Sequence, residues 1–228
     1  MIKKYLLLCM ILFCSCAALA VSVGERRAMT TPKGVEDNMH RLVHHLTDNM
    51  FDKTEQAKAI AVWIASHIAY DHDANAAYRI GTQKNGQSAD EVFKNRIGIC
   101  VGFSELYEKM LHMAGIKSEK VYGFVIDSAP NQTKAKIMVK KEKIGHVWTK
   151  IYIPGRQPLY VDTTWMARGT FGGGKHGRTE QARKREIRQN KRENKAYHHN
   201  MNYFDFTYSD LMSQGEYRFT TQRQLIKR

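Results

Sequence analysis

Cysteine is scarce in this chain and unevenly placed: Cys9, Cys14 and Cys16 fall within the first sixteen residues, and Cys100 stands alone in the remaining length. A lone thiol is either buried and inert or kept for its chemistry, and the count leaves both open. Position favours chemistry. Cys100 follows Gly98-Ile99 and precedes a segment in which Phe103, Leu106, Tyr107, Met110, Leu111 and Ala114 recur at helical spacing before a Gly115 stop. A structural cysteine would lie on that apolar stripe, whereas Cys100 precedes it. The start of a helix presents unpaired N–H groups and the positive end of its dipole, which favour the anionic sulfur that attacks a carbonyl carbon. Gly98 and Gly102 flank the thiol, and the small residue before the helix is expected to let a substrate carbonyl reach the Cys100 N–H, a donor suited to an oxyanion.

A nucleophilic thiol needs a base. His146 follows Gly145 and opens an apolar run, Val147 to Ile153, that reads as a strand; the plainer alternative is a histidine that merely closes a strand end. Tyr160-Val161-Asp162-Thr163-Thr164-Trp165 reads as the next strand, one short loop (Pro154 to Pro158) away. As hairpin partners the two would bring His146 and Asp162 within reach, the carboxylate taking the Nδ1 proton and Nε2 facing the thiol. The other histidines lack such a context. His40, His44 and His45 are expected on the outer face of a helix, and His198-His199 in a charged stretch, all at the surface. No EF-hand-like acidic loop and no cluster of ligands is visible, so neither a metal nor another cofactor is expected.

The elements that must hold these residues are legible from periodicity. Met39, Leu42, Val43 and Leu46 mark one helix; Ala57, Ile60, Ala61, Ile64, Ala65 and Ile68 mark a second, behind Asp52 and Thr54. The chain from Ala69-Tyr70-Asp71 through Gly86 reads as a loop, and Ser88 caps a short helix, Ala89 to Asn95, with Glu91 at the capping-box position. Strands are expected at 119–126, 135–139, 145–153 and 159–162. Helices followed by an antiparallel meander make an α+β domain.

Composition frames the domain. The 228 residues are 43% hydrophobic and carry a net charge of +14, enough apolar material for one core and a bias toward anionic partners. Lys3 and Lys4 precede an apolar run from Tyr5 to Ala20 that ends Ala18-Leu19-Ala20. This reads as a signal peptide over residues 1–20, with export to a periplasm or beyond; lipidation at Cys16 is the alternative. Residues 21–33 show no periodicity and read as a leader, with the catalytic core spanning 34–166. Residues 167–200 hold ten Lys/Arg against three Glu and almost no aliphatic residues, and read as a solvated insertion. Residues 201–228 resume the core at Tyr203-Phe204-Asp205 and end in a basic tail. An exported protein of this charge meets anionic envelope polymers and lipid head groups, which the 167–200 segment would contact, rather than nucleic acid.

Taken in order, Ser88-Ala89-Asp90-Glu91-Val92-Phe93, Gly98-Ile99-Cys100-Val101-Gly102-Phe103, Gly145-His146-Val147-Trp148 and Val161-Asp162-Thr163-Thr164-Trp165 resemble the transglutaminase core superfamily over roughly residues 50 to 166. The resemblance implies a papain-like core in which a cysteine at a helix start packs on an antiparallel sheet bearing histidine and aspartate. In animal transglutaminases a tryptophan upstream of the cysteine completes the oxyanion site; the similar position here is Tyr70, which reads equally well as a tyrosine ending a core helix. The family includes crosslinkers, peptidases, amidases and inactive scaffolds. The resemblance therefore implies a cysteine acyl-transfer enzyme acting on protein or peptide amides, hydrolytic by analogy with small exported members. The contrasting expectation is a non-catalytic envelope-binding module that uses its basic insertion.

Overall fold

The computed structural model describes residues 21–79, 87–127, 144–167, 185, 188, 199–206 and 217–221. The expected signal peptide, the expected strand at 135–139 and nearly all of the basic 167–200 segment lie outside the described residues.

Seven helices and six strands follow one another in the described chain: α1 (Val23–Met29), α2 (Met39–Thr47), α3 (Lys53–His67), β1 (Ala69–Tyr70), α4 (His72–Arg79), α5 (Ala89–Asn95), β2 (Ile97–Gly98), α6 (Cys100–Met113), β3 (Lys117–Asp127), β4 (Ile144–Tyr152), β5 (Leu159–Val161), α7 (Thr163–Met166) and β6 (Tyr217–Thr221). The architecture is α+β. One antiparallel sheet runs in the order β5-β4-β3-β6, and β1 and β2 form a separate two-residue parallel pair. The apolar stripes read from sequence are the core: Leu42, Leu46, Ile60, Ile64, Phe103, Leu106 and Met110 are fully buried. Helix α3 is buried on nearly every side, as expected of an element enclosed by neighbours.

Polar links fix how the layers stack. Tyr107 of α6 donates to the Ala57 carbonyl of α3 at 3.0 Å, and Ser104 of α6 donates to the Val147 carbonyl of β4 at 3.3 Å. The second bond matters for the site, because it pins the cysteine helix over the histidine strand. Lys53, at the start of α3, donates to the Ala114 carbonyl at the end of α6 at 2.8 Å, a cation where the helix dipole favours one. Ser88 and Glu91 form the expected capping box of α5.

Four expectations need correction. The segment read as a leader, 21–33, is folded: Ser22 caps α1, the Gly24 N–H donates to Glu55 Oε2 at 2.9 Å, and a Cβ on Gly24 would collide with the Glu55 carbonyl oxygen. Seven residues are too few to show a period, so α1 owes its existence to docking on α3. The stretch after Tyr70 contains α4, started by Asp71, whose Oδ1 accepts from the Ala74 N–H at 2.9 Å. Strand β5 stops at Val161, because Asp162 turns the chain into α7. Finally, β6 lies in the stretch read as a basic tail and pairs with β3 from Gly123↔Thr221 to Asp127↔Tyr217.

Candidate active site

Cys100 is the first residue of α6, the position expected for it, and is 9% exposed. Its approach is held by the small β1–β2 ladder: the Ala69 N–H donates to the Arg96 carbonyl at 2.9 Å and the Asp71 N–H to the Gly98 carbonyl at 2.8 Å. Arg96 closes α5 in the left-handed conformation (φ 59°). Its buried guanidinium lies over the rings of Trp63 (4.5 Å) and Phe93 (4.6 Å) and donates to the Glu36 carbonyl at 2.9 Å. Desolvation pulls its pKa down to about 10 against the pull of Glu36 and Asp37, so it remains a cation at neutral pH.

His146 lies in β4 and Asp162 immediately after β5. The pairing Thr149↔Val161 puts Asp162 opposite Trp148, so His146 is its diagonal neighbour on the same face. The carboxylate reaches across that diagonal: His146 Nε2 and Asp162 Oδ2 are 2.6 Å apart, and Asp162 is fully buried. Its other oxygen, Oδ1, accepts from the Trp165 N–H at 3.0 Å as the cap of α7, while its own N–H donates to the Tyr203 carbonyl at 2.9 Å. Both carboxylate oxygens are therefore held by the fold itself.

His146 also hydrogen-bonds the Cys100 thiol. With Nε2 committed to Asp162, that bond falls to Nδ1, the reverse of the assignment expected from sequence. The reason is the diagonal: the ring nitrogen farther from the backbone is the one that spans to the next strand. Burial alone would lower the His146 pKa, but the charge of Asp162, its hydrogen bond and the thiol together raise it to about 10. The protonated imidazole is thereby favoured. Trp148 stacks beside the ring at 6.1 Å and Trp165 lies T-shaped to it at 5.7 Å, so two large aromatic side chains wall the imidazole.

The structure brings Cys100, His146 and Asp162 together. It places Tyr70 one strand away, with β1 pairing Tyr70↔Gly98, and its ring edge-on to His72 at 5.0 Å. Of the remaining histidines, His40 and His44 are exposed as expected and His45 is half-buried. His199 departs from expectation: its side chain is largely buried, with Nε2 3.0 Å from Glu25 Oε1 and Nδ1 3.4 Å from Ser66 Oγ, joining the closing segment to α1 and α3.

The glycines around Cys100 also have a packing reason. A Cβ on Gly98 would meet Gln87 Oε1 at 3.1 Å, and one on Gly102 would meet Val92 Cγ2 at 2.7 Å and Gln87 Oε1 at 2.8 Å. They make room for Gln87 and Val92. Gln87 also accepts from the Ile99 N–H at 2.6 Å. Nothing in the sequence flags this glutamine, because its partner is twelve positions away across a loop and a helix.

A family model described as the transglutaminase-like superfamily matches residues 40–167. The kyphoscoliosis peptidase of Mus musculus is 28% identical over 133 residues and that of Homo sapiens 27% identical over 132, covering 58% and 57% of this chain and 18% of each relative. The chain thus aligns with less than a fifth of the length of these curated relatives. A solved structure described as a TGase is similar with a TM-score of 0.42 at 18% identity, covering 78% of this chain and 41% of that one. The matched span holds more than half of the chain and contains Cys100, His146 and Asp162, and the chain belongs to the transglutaminase-like superfamily.

Proposed function

We propose that the chain is a cysteine acyl-transfer enzyme, with Cys100 as nucleophile, His146 as proton carrier and Asp162 as the group that orients and charges the histidine. The observation that carries this reading is the buried hydrogen-bonded chain from Asp162 through His146 to the thiol at the start of α6. A cationic imidazole between carboxylate and sulfur favours the thiolate, so His146 begins as the acid. The sulfur attacks the carbonyl carbon of a peptide or side-chain amide. A C–S bond forms, the C–N bond breaks, and the imidazolium proton leaves with the amine or ammonia. The neutral imidazole then takes a proton from water, whose oxygen displaces the sulfur from the thioester, restoring the ion pair and releasing the acid. The Cys100 N–H, at a helix start and without an intrahelical partner, is the natural oxyanion donor; Tyr70 is a second candidate from its place beside Gly98.

Water rather than an amine is the acceptor in this proposal, in keeping with the peptidase named in the two curated relatives. Substrates are protein or peptide amides at a cell envelope. Export through residues 1–20 and attraction to anionic polymers or lipid head groups through the +7 segment 167–200 belong to the same proposal. Two experiments test it. Incubation with a library of peptide and cell-wall amides, read by intact mass, should trap an acyl adduct on Cys100 and show turnover that Cys100→Ala abolishes; turnover by Cys100→Ala ends the mechanism. Replacing 168–198 by a short Gly/Ser linker, which keeps the buried His199 in place, should leave hydrolysis of a small neutral amide unchanged. The same deletion should weaken binding to anionic vesicles at low salt, where charges are screened least; equal binding removes the electrostatic role.

A further inference from the structure

We propose that Gln87 is a positioning residue for Cys100, clamping the turn that starts α6 through the Ile99 N–H; this rests on the reading of Cys100 as nucleophile. Helix α6 begins without a cap of its own, since Ile99 has no side-chain acceptor to offer. The acceptor comes instead from Gln87, 2.6 Å from the Ile99 nitrogen. The carboxamide is seated against the space above Gly98 and Gly102, where a Cβ would strike its oxygen or Val92. Gly98, Ile99 and Gly102, the residues on either side of the thiol, are therefore packed or bonded against one side chain. Val92 comes from α5, whose start at Ser88 is fixed by the capping box, so the residue next to it is anchored as well.

The clamp acts on chemistry through geometry. Held by Gln87, the Ile99 N–H stays turned away from the reacting carbonyl, and the first turn of α6 keeps Sγ on the His146 ring. Released, the turn is free to rotate, and a displacement of about 1 Å in a reacting group costs on the order of 100-fold in rate. A neutral amide suits this task. It supplies an acceptor oxygen without the negative charge that a carboxylate would set beside the sulfur, where it would oppose the thiolate.

The test reads the rate of Cys100 alkylation by iodoacetamide between pH 5 and 9, on folded full-length protein. The parent should react faster at pH 6 than a free peptide thiol. Gln87→Ala should slow alkylation at pH 6 by about 10-fold or more and recover toward the parent at pH 9, where thiolate no longer depends on the ion pair. Gln87→Glu keeps the size and the acceptor and should move the rise of the profile up by about one pH unit. A residue that only stabilises the fold would shift the melting temperature and leave both profiles on the parent's. Profiles of folded variants that superimpose on the parent's overturn the clamp alone. A parent no faster than a free thiol overturns the nucleophile reading, and the clamp with it. Should Gln87→Ala fail to fold, the near-isosteric Gln87→Glu carries the same decision.

Discussion

Asp162 performs two tasks with two oxygens, one on His146 and one capping α7. The tasks separate in Asp162→Asn. The amide oxygen can still accept from the Trp165 N–H, so the fold should persist, but the charge that holds the imidazole cationic is gone. We expect turnover to fall by about 10²–10⁴-fold and Cys100 alkylation at pH 6 to slow with it; a parent-like rate in both assays would make Asp162 a structural cap only. The three residues stand out in the sequence by their surroundings: a cysteine before an apolar stripe, a histidine after a glycine, an aspartate closing an apolar run. The choice of ring nitrogen was not legible there, since it depends on a diagonal register that one-dimensional spacing does not encode. Gln87 was hidden for a related reason, as its role exists only once β2 and α5 are folded against each other.

At the scale of elements, periodicity served where helices are long and failed where they are short. Helices α3 and α6 carry enough repeats to declare a buried face, whereas α1 is seven residues that pack through a glycine. The close approach at Gly24 gives a sharp test. Gly24→Ala places a methyl group against the Glu55 backbone carbonyl, which cannot move without disturbing α3, and should destabilise the protein by about 1–3 kcal/mol. Denaturant unfolding reads the change; an unaltered midpoint would mean that α1 is not docked. Strand β5 was overread at its end for a physical reason too. Thr163, Thr164 and Trp165 have the β-branched and aromatic character of a strand, but the Asp162 cap redirects them into helix.

For the molecule as a whole, two buried histidines set opposite limits on stability. His146 has its pKa raised to about 10, because burial, the largest single effect and opposed to the rise, is outweighed by Asp162 and the thiol together, so its contribution is complete below pH 6.5 and is lost as pH climbs through 10. His67 is the reverse. Burial beside Arg96 lowers its pKa to about 4 despite its bond to the Trp63 carbonyl, so its contribution is complete above pH 6.5 and is lost as pH falls toward 4. Stability from this pair should be greatest near pH 6.5 and decline on both sides. Unfolding free energies measured from pH 4 to 10 should show this dome, with Asp162→Asn flattening the alkaline limb and His67→Phe the acid limb. Parallel curves for parent and variants would refute the assignment. The pairing of β6 with β3 has a consequence in time. Gly123 and Thr221 are about a hundred positions apart, so the ladder between them closes one of the longest loops in the fold and carries the entropy cost of doing so. During synthesis, the residues that carry Cys100, His146 and Asp162 leave the ribosome before Tyr217–Thr221 exists. The nascent chain is then exposed with an open edge on β3, and the arrival of β6 seals that edge last.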